Sequence, residues 1–127
     1  MGERVAVIEQ NRPTRELLAD VLQSTGYEVA AFDNAWVAAS DGDFRLVVTD
    51  TVGALYDRAA NESLVRRLRS TFNCPVMVLT AHAAAKRDES TLASDAVILR
   101  PFDLGGFVRT VRRLVGSPER RRLPRAS

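Results

Sequence analysis

Four polar residues of the sequence each come directly after a short apolar run. Glu9 follows VAVI, Asp50 follows LVVT, Thr80 follows VMVL and Arg100 follows AVIL. Carboxylates, hydroxyls and cations are the groups from which nucleophilic and charge-stabilising sites are built. The four residues therefore predict a reactive or ion-binding site, provided that the fold brings the ends of the four runs together.

The elements that must position these residues alternate along the chain. Short apolar runs predict buried strands, and apolar residues at helical spacing predict helices between them. Strands are predicted at 4–8, 27–32, 46–49, 76–79 and 96–99, and helices at about 13–25, 34–40, 64–72, 83–92 and 104–115. Residues 51–60 show no clear period and are predicted to be a loop.

The order βαβαβαβαβα predicts an α/β fold, a doubly wound five-stranded parallel sheet with helices on both faces. Such sheets place their sites beyond the carboxyl ends of the strands. Glu9, Asp50, Thr80 and Arg100 all stand at such ends. We therefore expect them to share one edge of the sheet.

Bulk composition favours one globular domain. The chain has 127 residues and one cysteine, so an internal disulfide is excluded. No stretch approaches the roughly 20 apolar residues of a membrane span, and the N-terminus lacks a signal-peptide layout, so we expect a cytoplasmic protein. We predict a folded domain over residues 1–116, followed by a basic linker or disordered tail over 117–127.

The chain resembles the receiver domains of bacterial response regulators over residues 3 to about 116. The resemblance is carried by the segments VAVIEQN, LVVTD, PVMVLTA and ILRPF, which occur in the family's order and at similar spacing. It implies the flavodoxin-like (βα)5 receiver fold. It also implies a role in two-component signal transduction through regulated protein–protein contacts, and not as a metabolic enzyme.

The resemblance implies a role for three of the strand-end residues. Asp50 would be the phosphoacceptor, taking a phosphoryl group from a histidine kinase or a phosphotransfer protein. Thr80 would hydrogen-bond a phosphoryl oxygen, and Arg100 stands where the family has a lysine that pairs with the phosphoryl group. The family's Lys–Pro bond is cis, so a cis Arg100–Pro101 bond is expected.

The resemblance also implies a magnesium site. Glu9 and Gln10 occupy the positions of the family's acidic pair, which binds Mg²⁺ together with the Asp50 carboxylate and the backbone carbonyl of Val52. Gln10 carries no charge, so Glu9, Asp50 and Arg100 sum to −1, against −2 with a third carboxylate. We therefore predict that Mg²⁺ binds weakly or not at all.

Two further departures bear on how the site would act. Arg100 has a planar guanidinium in place of an ammonium, and it could clamp Asp50 or Glu9 in the unphosphorylated state. Val97 stands where many receivers carry an aromatic residue that rotates on activation. In family terms the face over residues 83–115 would bind a partner or a second copy of the chain.

Other functions stay open at this stage. The first alternative is a pseudo-receiver, an interaction module that never uses phosphate. A second is a DNA-binding regulator acting through the basic tail or a missing output domain, because residues 109–125 hold seven arginines and one acid. The tail has no aromatic residue to stack on bases, so nucleic-acid binding by this domain alone is not expected. A flavodoxin-like enzyme or small-molecule binder ranks lowest, because the chain has no phosphate-binding loop motif.

Overall fold

The computed structural model describes residues 2–34 and 43–115. The predicted helix over 34–40 lies outside the described residues, apart from its first residue. The predicted tail over 117–127 lies wholly outside them. Within the described ranges, no helix has both the length and the apolar character needed to cross a bilayer.

Five parallel strands form one sheet. They are β1 (Arg4–Ile8), β2 (Glu28–Phe32), β3 (Leu46–Asp50), β4 (Val76–Thr80) and β5 (Ala96–Leu99), in the order β2-β1-β3-β4-β5. The three central strands are mostly apolar, as expected for strands buried on both faces. The predicted doubly wound, flavodoxin-like α/β fold is confirmed, and the predicted strands agree with the observed ones to within one residue at each end.

Within residues 2–34 and 43–115, four helices cover the sheet. They are α1 (Arg12–Thr25), α2 (Arg58–Phe72), α3 (Ala83–Arg87) and α4 (Leu104–Val115). The side chain of Asn11 caps α1 by accepting a hydrogen bond from the Thr14 N–H at 3.0 Å. Gly26 ends α1 with a φ of 113°, a left-handed conformation that favours glycine.

Helix α2 begins earlier than the sequence indicated. The predicted loop over 51–60 is wrong for its last three residues, because α2 starts at Arg58. The Asp57 carboxylate is the cap, and it accepts a hydrogen bond from the Ala60 N–H at 3.1 Å. The first turn of α2 is mostly exposed, so no apolar periodicity marked it.

Helix α3 is shorter than the predicted helix over 83–92, and the prediction is wrong beyond Arg87. Side chains from the end of α3 and from the residues after it bond to the backbone of β5. The Glu89 carboxylate accepts a hydrogen bond from the Val97 N–H at 2.8 Å, and Lys86 donates one to the Val97 carbonyl at 3.0 Å. Because β5 is an edge strand, these two side chains satisfy backbone groups that a neighbouring strand would otherwise pair.

The core lies on both faces of the sheet. Helices α1 and α4 cover one face, where Phe107 and Val111 are fully buried against β-strand residues such as Val7. Helices α2 and α3 cover the other, where Leu68 and Ala85 pack with Val78. This double cover leaves the carboxyl ends of the strands as the open edge of the fold.

Candidate functional site

The fold brings together the four polar residues that follow the apolar runs. Asp50 and Thr80 are the last residues of β3 and β4, and Glu9 and Arg100 come directly after β1 and β5. Arg100 forms an ion pair with Glu9 through its Nη2 atom, and the same atom lies 4.0 Å from Asp50 Oδ2. The parallel pairing of the strands is what places these distant segments at one edge.

Asp50 stands at the boundary between core and solvent. Its Oδ1 accepts a hydrogen bond from the Thr51 N–H at 2.7 Å, and its side chain keeps 35% of its surface exposed. Burial, followed by the neighbouring charge of Glu9, raises the pKa of Asp50 above its usual value. A partly desolvated carboxylate that keeps part of its surface exposed is chemically suited to act as a nucleophile.

A pocket of about 410 Å³ opens beside Asp50, between the end of β3, the start of α2 and the segment that follows β2. Gln10 lies on its rim, exposed to solvent. Asp33 and Arg67 also line the pocket. The space is large enough to admit a small tetrahedral group to the Asp50 carboxylate.

Hydrogen-bond donors contact both carboxylate oxygens and the backbone carbonyl of Glu9. Its side chain is only 5% exposed; Oε1 pairs with Arg100, and Oε2 accepts from the Asn11 N–H at 3.1 Å. Its backbone carbonyl accepts a hydrogen bond from Arg15 Nη1 at 2.7 Å. Both carboxylate oxygens are therefore engaged. The sequence suggested that the Arg100 guanidinium could pair with Asp50 or with Glu9. It pairs with Glu9, and Asp50 Oδ2 lies 4.0 Å from the same nitrogen atom.

Thr80 is separated from Asp50 by a residue that the sequence did not single out. The Thr80 hydroxyl is fully buried, lies 3.2 Å from the Thr51 hydroxyl and accepts from the His82 N–H at 3.0 Å. The Thr51 hydroxyl in turn lies 3.4 Å from Asp50 Oδ1. Thr51 therefore links the two predicted residues, and its only sequence signal was a hydroxyl directly after the carboxylate.

Asn61 is a second residue that sequence reasoning missed. It is buried in α2, where its Oδ1 accepts a hydrogen bond from the Val52 N–H at 2.8 Å and its Nδ2 donates to the Asp57 carbonyl at 2.8 Å and, at 3.5 Å, to the Val52 carbonyl. Asn61 thereby fixes the backbone two residues after Asp50. The available signal was its position on the same helical face as Leu64.

Replacing Asn61 with alanine is expected to lower the free energy of unfolding by about 1–3 kcal/mol, because the backbone groups of Val52 and Asp57 lose their partner at a partly buried site. Urea denaturation followed by circular dichroism measures the loss. Ser63→Ala, on the exposed face of the same helix, is the control and should change stability little. Equal stability of the two variants would show that Asn61 does not hold this loop.

The arrangement does not fit a magnesium ion. Among residues 2–34 and 43–115, no group of three or more acidic, histidine or cysteine side chains is placed to hold a metal. Both oxygens of Glu9 are engaged, and Gln10 brings no charge. Mg²⁺ needs free oxygen ligands in near-octahedral geometry, and the Glu9 carboxylate already has a cation on it.

Val97 and the aromatic residue Tyr56 lie in different settings. Val97 is buried in the sheet, whereas Tyr56, from the loop after β3, lies with its ring centroid 5.9 Å from that of His82. The Tyr56 hydroxyl donates to Asp88 at 2.8 Å; burial and that hydrogen bond raise the pKa of Tyr56 to about 12. His82 is half-buried at the start of α3.

The remaining predicted feature of the site is the peptide bond after Arg100. The Arg100–Pro101 bond is cis, as the resemblance implied. The Arg100 N–H donates to the Thr80 carbonyl at 2.8 Å, so the backbone of Arg100 continues the pairing between β5 and β4. This backbone contact places the base of the Arg100 side chain beside the end of β4.

Similar proteins are found by comparison with curated sequences and with solved structures. No family model matches the chain. A curated relative, the response regulator protein FleR of Pseudomonas aeruginosa, is 28% identical over 119 residues, which are 89% of this chain and 24% of that protein. The chain thus spans about a quarter of the length of that relative.

Solved structures show the same fold. The response regulator protein TrrA of Thermotoga maritima, solved in complex with Mg²⁺ and BeF, matches with a TM-score of 0.73 and 24% identity, covering 88% of this chain and 98% of that one. A second response regulator from Thermotoga maritima matches with a TM-score of 0.76 and 22% identity, covering 92% of this chain and all of the other.

Proposed function

We propose that this chain is a receiver domain of the response-regulator type and that it acts in two-component signalling by accepting a phosphoryl group on Asp50. The donor would be a phosphohistidine of a histidine kinase or a phosphotransfer protein. The phosphorylated aspartate would then alter the contacts that the domain makes with other proteins. The domain would serve as a signalling module and would not turn over a metabolite.

The observation that carries this proposal is the setting of Asp50. One carboxylate oxygen is tied to the Thr51 N–H at 2.7 Å, and the carboxylate opens on the pocket. In the transfer, an Asp50 oxygen bonds to phosphorus while the donor's P–N bond breaks and its electron pair leaves with the imidazole. The product carries about −1.5 to −2 charges, and the Arg100 guanidinium, 4.0 Å from Asp50 Oδ2, can neutralise part of them.

Mg²⁺ would bind this domain weakly or not at all. TrrA was solved with Mg²⁺ and a BeF group, but in this chain the Glu9 carboxylate is paired with Arg100 and Gln10 is neutral. The charge that assists transfer would therefore come from Arg100. No step of the proposed reaction passes through a metal.

Small-molecule phosphodonors test the proposal. Incubation of the protein with phosphoramidate or acetyl phosphate should add the mass of one phosphoryl group, and hydroxylamine should remove it, because acyl phosphates are cleaved by that nucleophile. Asp33→Asn is the matched control, since Asp33 is another carboxylate of the same pocket, and this variant should still gain the mass. Uptake that survives hydroxylamine, or that maps to another residue, would refute Asp50 as the acceptor.

A second function is favoured by the Glu9–Arg100 ion pair. A guanidinium already held on an acid beside Asp50 can keep the domain in one state without phosphate, as a pseudo-receiver interaction module would require. In that case the phosphodonors add no mass, and Asp50→Asn leaves partner binding unchanged. Mass gain on the wild-type protein, together with a change in partner affinity, would exclude this alternative.

A further inference from the structure

We propose that the Arg100 guanidinium is the resident cation of this site, and that it excludes divalent cations by occupying the two carboxylates that would bind them. Removing Arg100 should then create a divalent-cation site, whereas the part of the chain that the structure describes holds none. The inference concerns the same site as the proposed function, because both involve Asp50 and Arg100. Its test, however, measures cation binding and does not depend on whether Asp50 is phosphorylated.

The first support is the position of one nitrogen atom. Arg100 Nη2 pairs with Glu9 Oε1 and is also the atom that lies 4.0 Å from Asp50 Oδ2. A single cationic group therefore faces both acids at once. That is the place in which an ion shared by the two carboxylates would have to lie.

The second support is burial. The side chain of Glu9 is 5% exposed and that of Arg100 is 24% exposed, so little water lies between them to screen their charges. A divalent ion bound to Glu9 would lie within ion-pair distance of the guanidinium. Mutual repulsion of the two cations in a poorly screened setting makes their simultaneous binding unfavourable.

The third support is the way in which the acids are held. Glu9 Oε2 accepts from the Asn11 N–H and Asp50 Oδ1 accepts from the Thr51 N–H, so each acid keeps its position through a backbone contact that does not involve Arg100. The acids should therefore remain in place when Arg100 is removed. Two carboxylates that face one position are oxygen ligands of the kind that Mg²⁺ and Mn²⁺ accept.

Gln10 affects the binding of divalent ions less than Arg100 does. It lies exposed on the rim of the pocket, and restoring an acid there leaves the guanidinium on Glu9. Gln10→Asp alone should therefore gain little affinity for a divalent ion. The same substitution should tighten binding once Arg100 has been replaced, so the effects of the two substitutions should not be additive.

Titration with Mn²⁺, followed by electron paramagnetic resonance of the free ion, tests the inference on the full chain. The proteins are the wild type, Gln10→Asp, Arg100→Ala and the double variant. Arg66→Ala, at an exposed helical arginine paired with Glu62, is the control for the loss of one positive charge. We expect binding to tighten by about tenfold or more in Arg100→Ala, further in the double variant, and not in Arg66→Ala.

Arg100→Met keeps most of the side-chain volume and serves as a second variant if Arg100→Ala unfolds. Tight Mn²⁺ binding by the wild type would overturn the inference. So would a gain in Gln10→Asp that Arg100→Ala and Arg100→Met do not show. A variant that binds Mn²⁺ while the wild type takes no phosphoryl group would refute the proposed function and leave this inference standing.

Discussion

Replacing Asp50 with asparagine is expected to abolish phosphoryl uptake from phosphoramidate and, at the same time, to make the fold more stable at neutral pH. An amide does not form the acyl phosphate, so the mass gain of the wild type should disappear. The gain in stability has a separate cause. The Asp50 carboxylate is partly buried beside Glu9, and the neutral amide avoids both the desolvation and the repulsion between the two acids.

The pH dependence of this effect has a definite sign. Burial, and then Glu9, raises the pKa of Asp50 in the folded protein above the ordinary value of 3.8. Below the unfolded-state pKa the residue is protonated in both states and contributes nothing to stability. As the pH rises through the folded-state pKa, the folded protein binds more protons than the unfolded chain, so the wild type loses stability relative to Asp50→Asn.

Urea denaturation of both proteins at a series of pH values measures this difference. The two free energies of unfolding should converge at acid pH and separate as the pH rises above about 4. Asp33→Asn removes an exposed carboxylate of the same pocket and is the control for the loss of one negative charge. A wild type that is more stable than Asp50→Asn at neutral pH would show that the attraction of Asp50 to Arg100 outweighs its desolvation and its repulsion by Glu9.

The largest loss of stability is expected from Phe107→Ala. Phe107 is fully buried in α4, and its ring lies 5.8 Å from that of Phe102 in the core on one face of the sheet. Removing the ring costs its transfer free energy and leaves a cavity, for a total of about 3–5 kcal/mol. That is a large fraction of the stability of a domain of this size.

Urea denaturation at neutral pH also measures this effect. The matched control is Leu104→Ala, since Leu104 lies in the first turn of the same helix and is 36% exposed. The Phe107 variant should unfold at a clearly lower urea concentration than the Leu104 variant, with a similar slope. If both variants lost the same small amount of unfolding free energy, Phe107 would not be packed in the core.

Much of the framework could be predicted because its signals are local. The apolar runs that became β1, β3, β4 and β5 are continuous and short, which is typical of strands buried on both faces. Gly26 marks the end of α1 through its backbone conformation, which few other residues adopt readily. The topology then followed from the alternation of strands and helices, because right-handed crossovers leave few arrangements.

The wrong predictions occur where the end of a helix is fixed by a single side-chain contact and not by a pattern of apolar residues. Helix α2 starts early because Asp57 caps it, and α3 stops early because the residues after Arg87 turn to the edge of β5. Asn61 and Thr51 were missed because their partners are backbone or hydroxyl groups of a loop. None of these contacts has a periodic signature in the sequence.

The sequence by itself determined which residues reach the open edge of the sheet. The carboxyl ends of parallel strands share one edge, so a residue that directly follows a buried strand lies at that edge. Glu9, Asp50, Thr80 and Arg100 were therefore identifiable in advance. Only the tertiary structure decided their partners: Arg100 pairs with Glu9, 91 residues away, and lies at the edge of Asp50, while Thr80 reaches Asp50 through Thr51. Such choices depend on distances of a few ångströms between side chains from separate segments, and these distances exist only once the whole sheet has assembled.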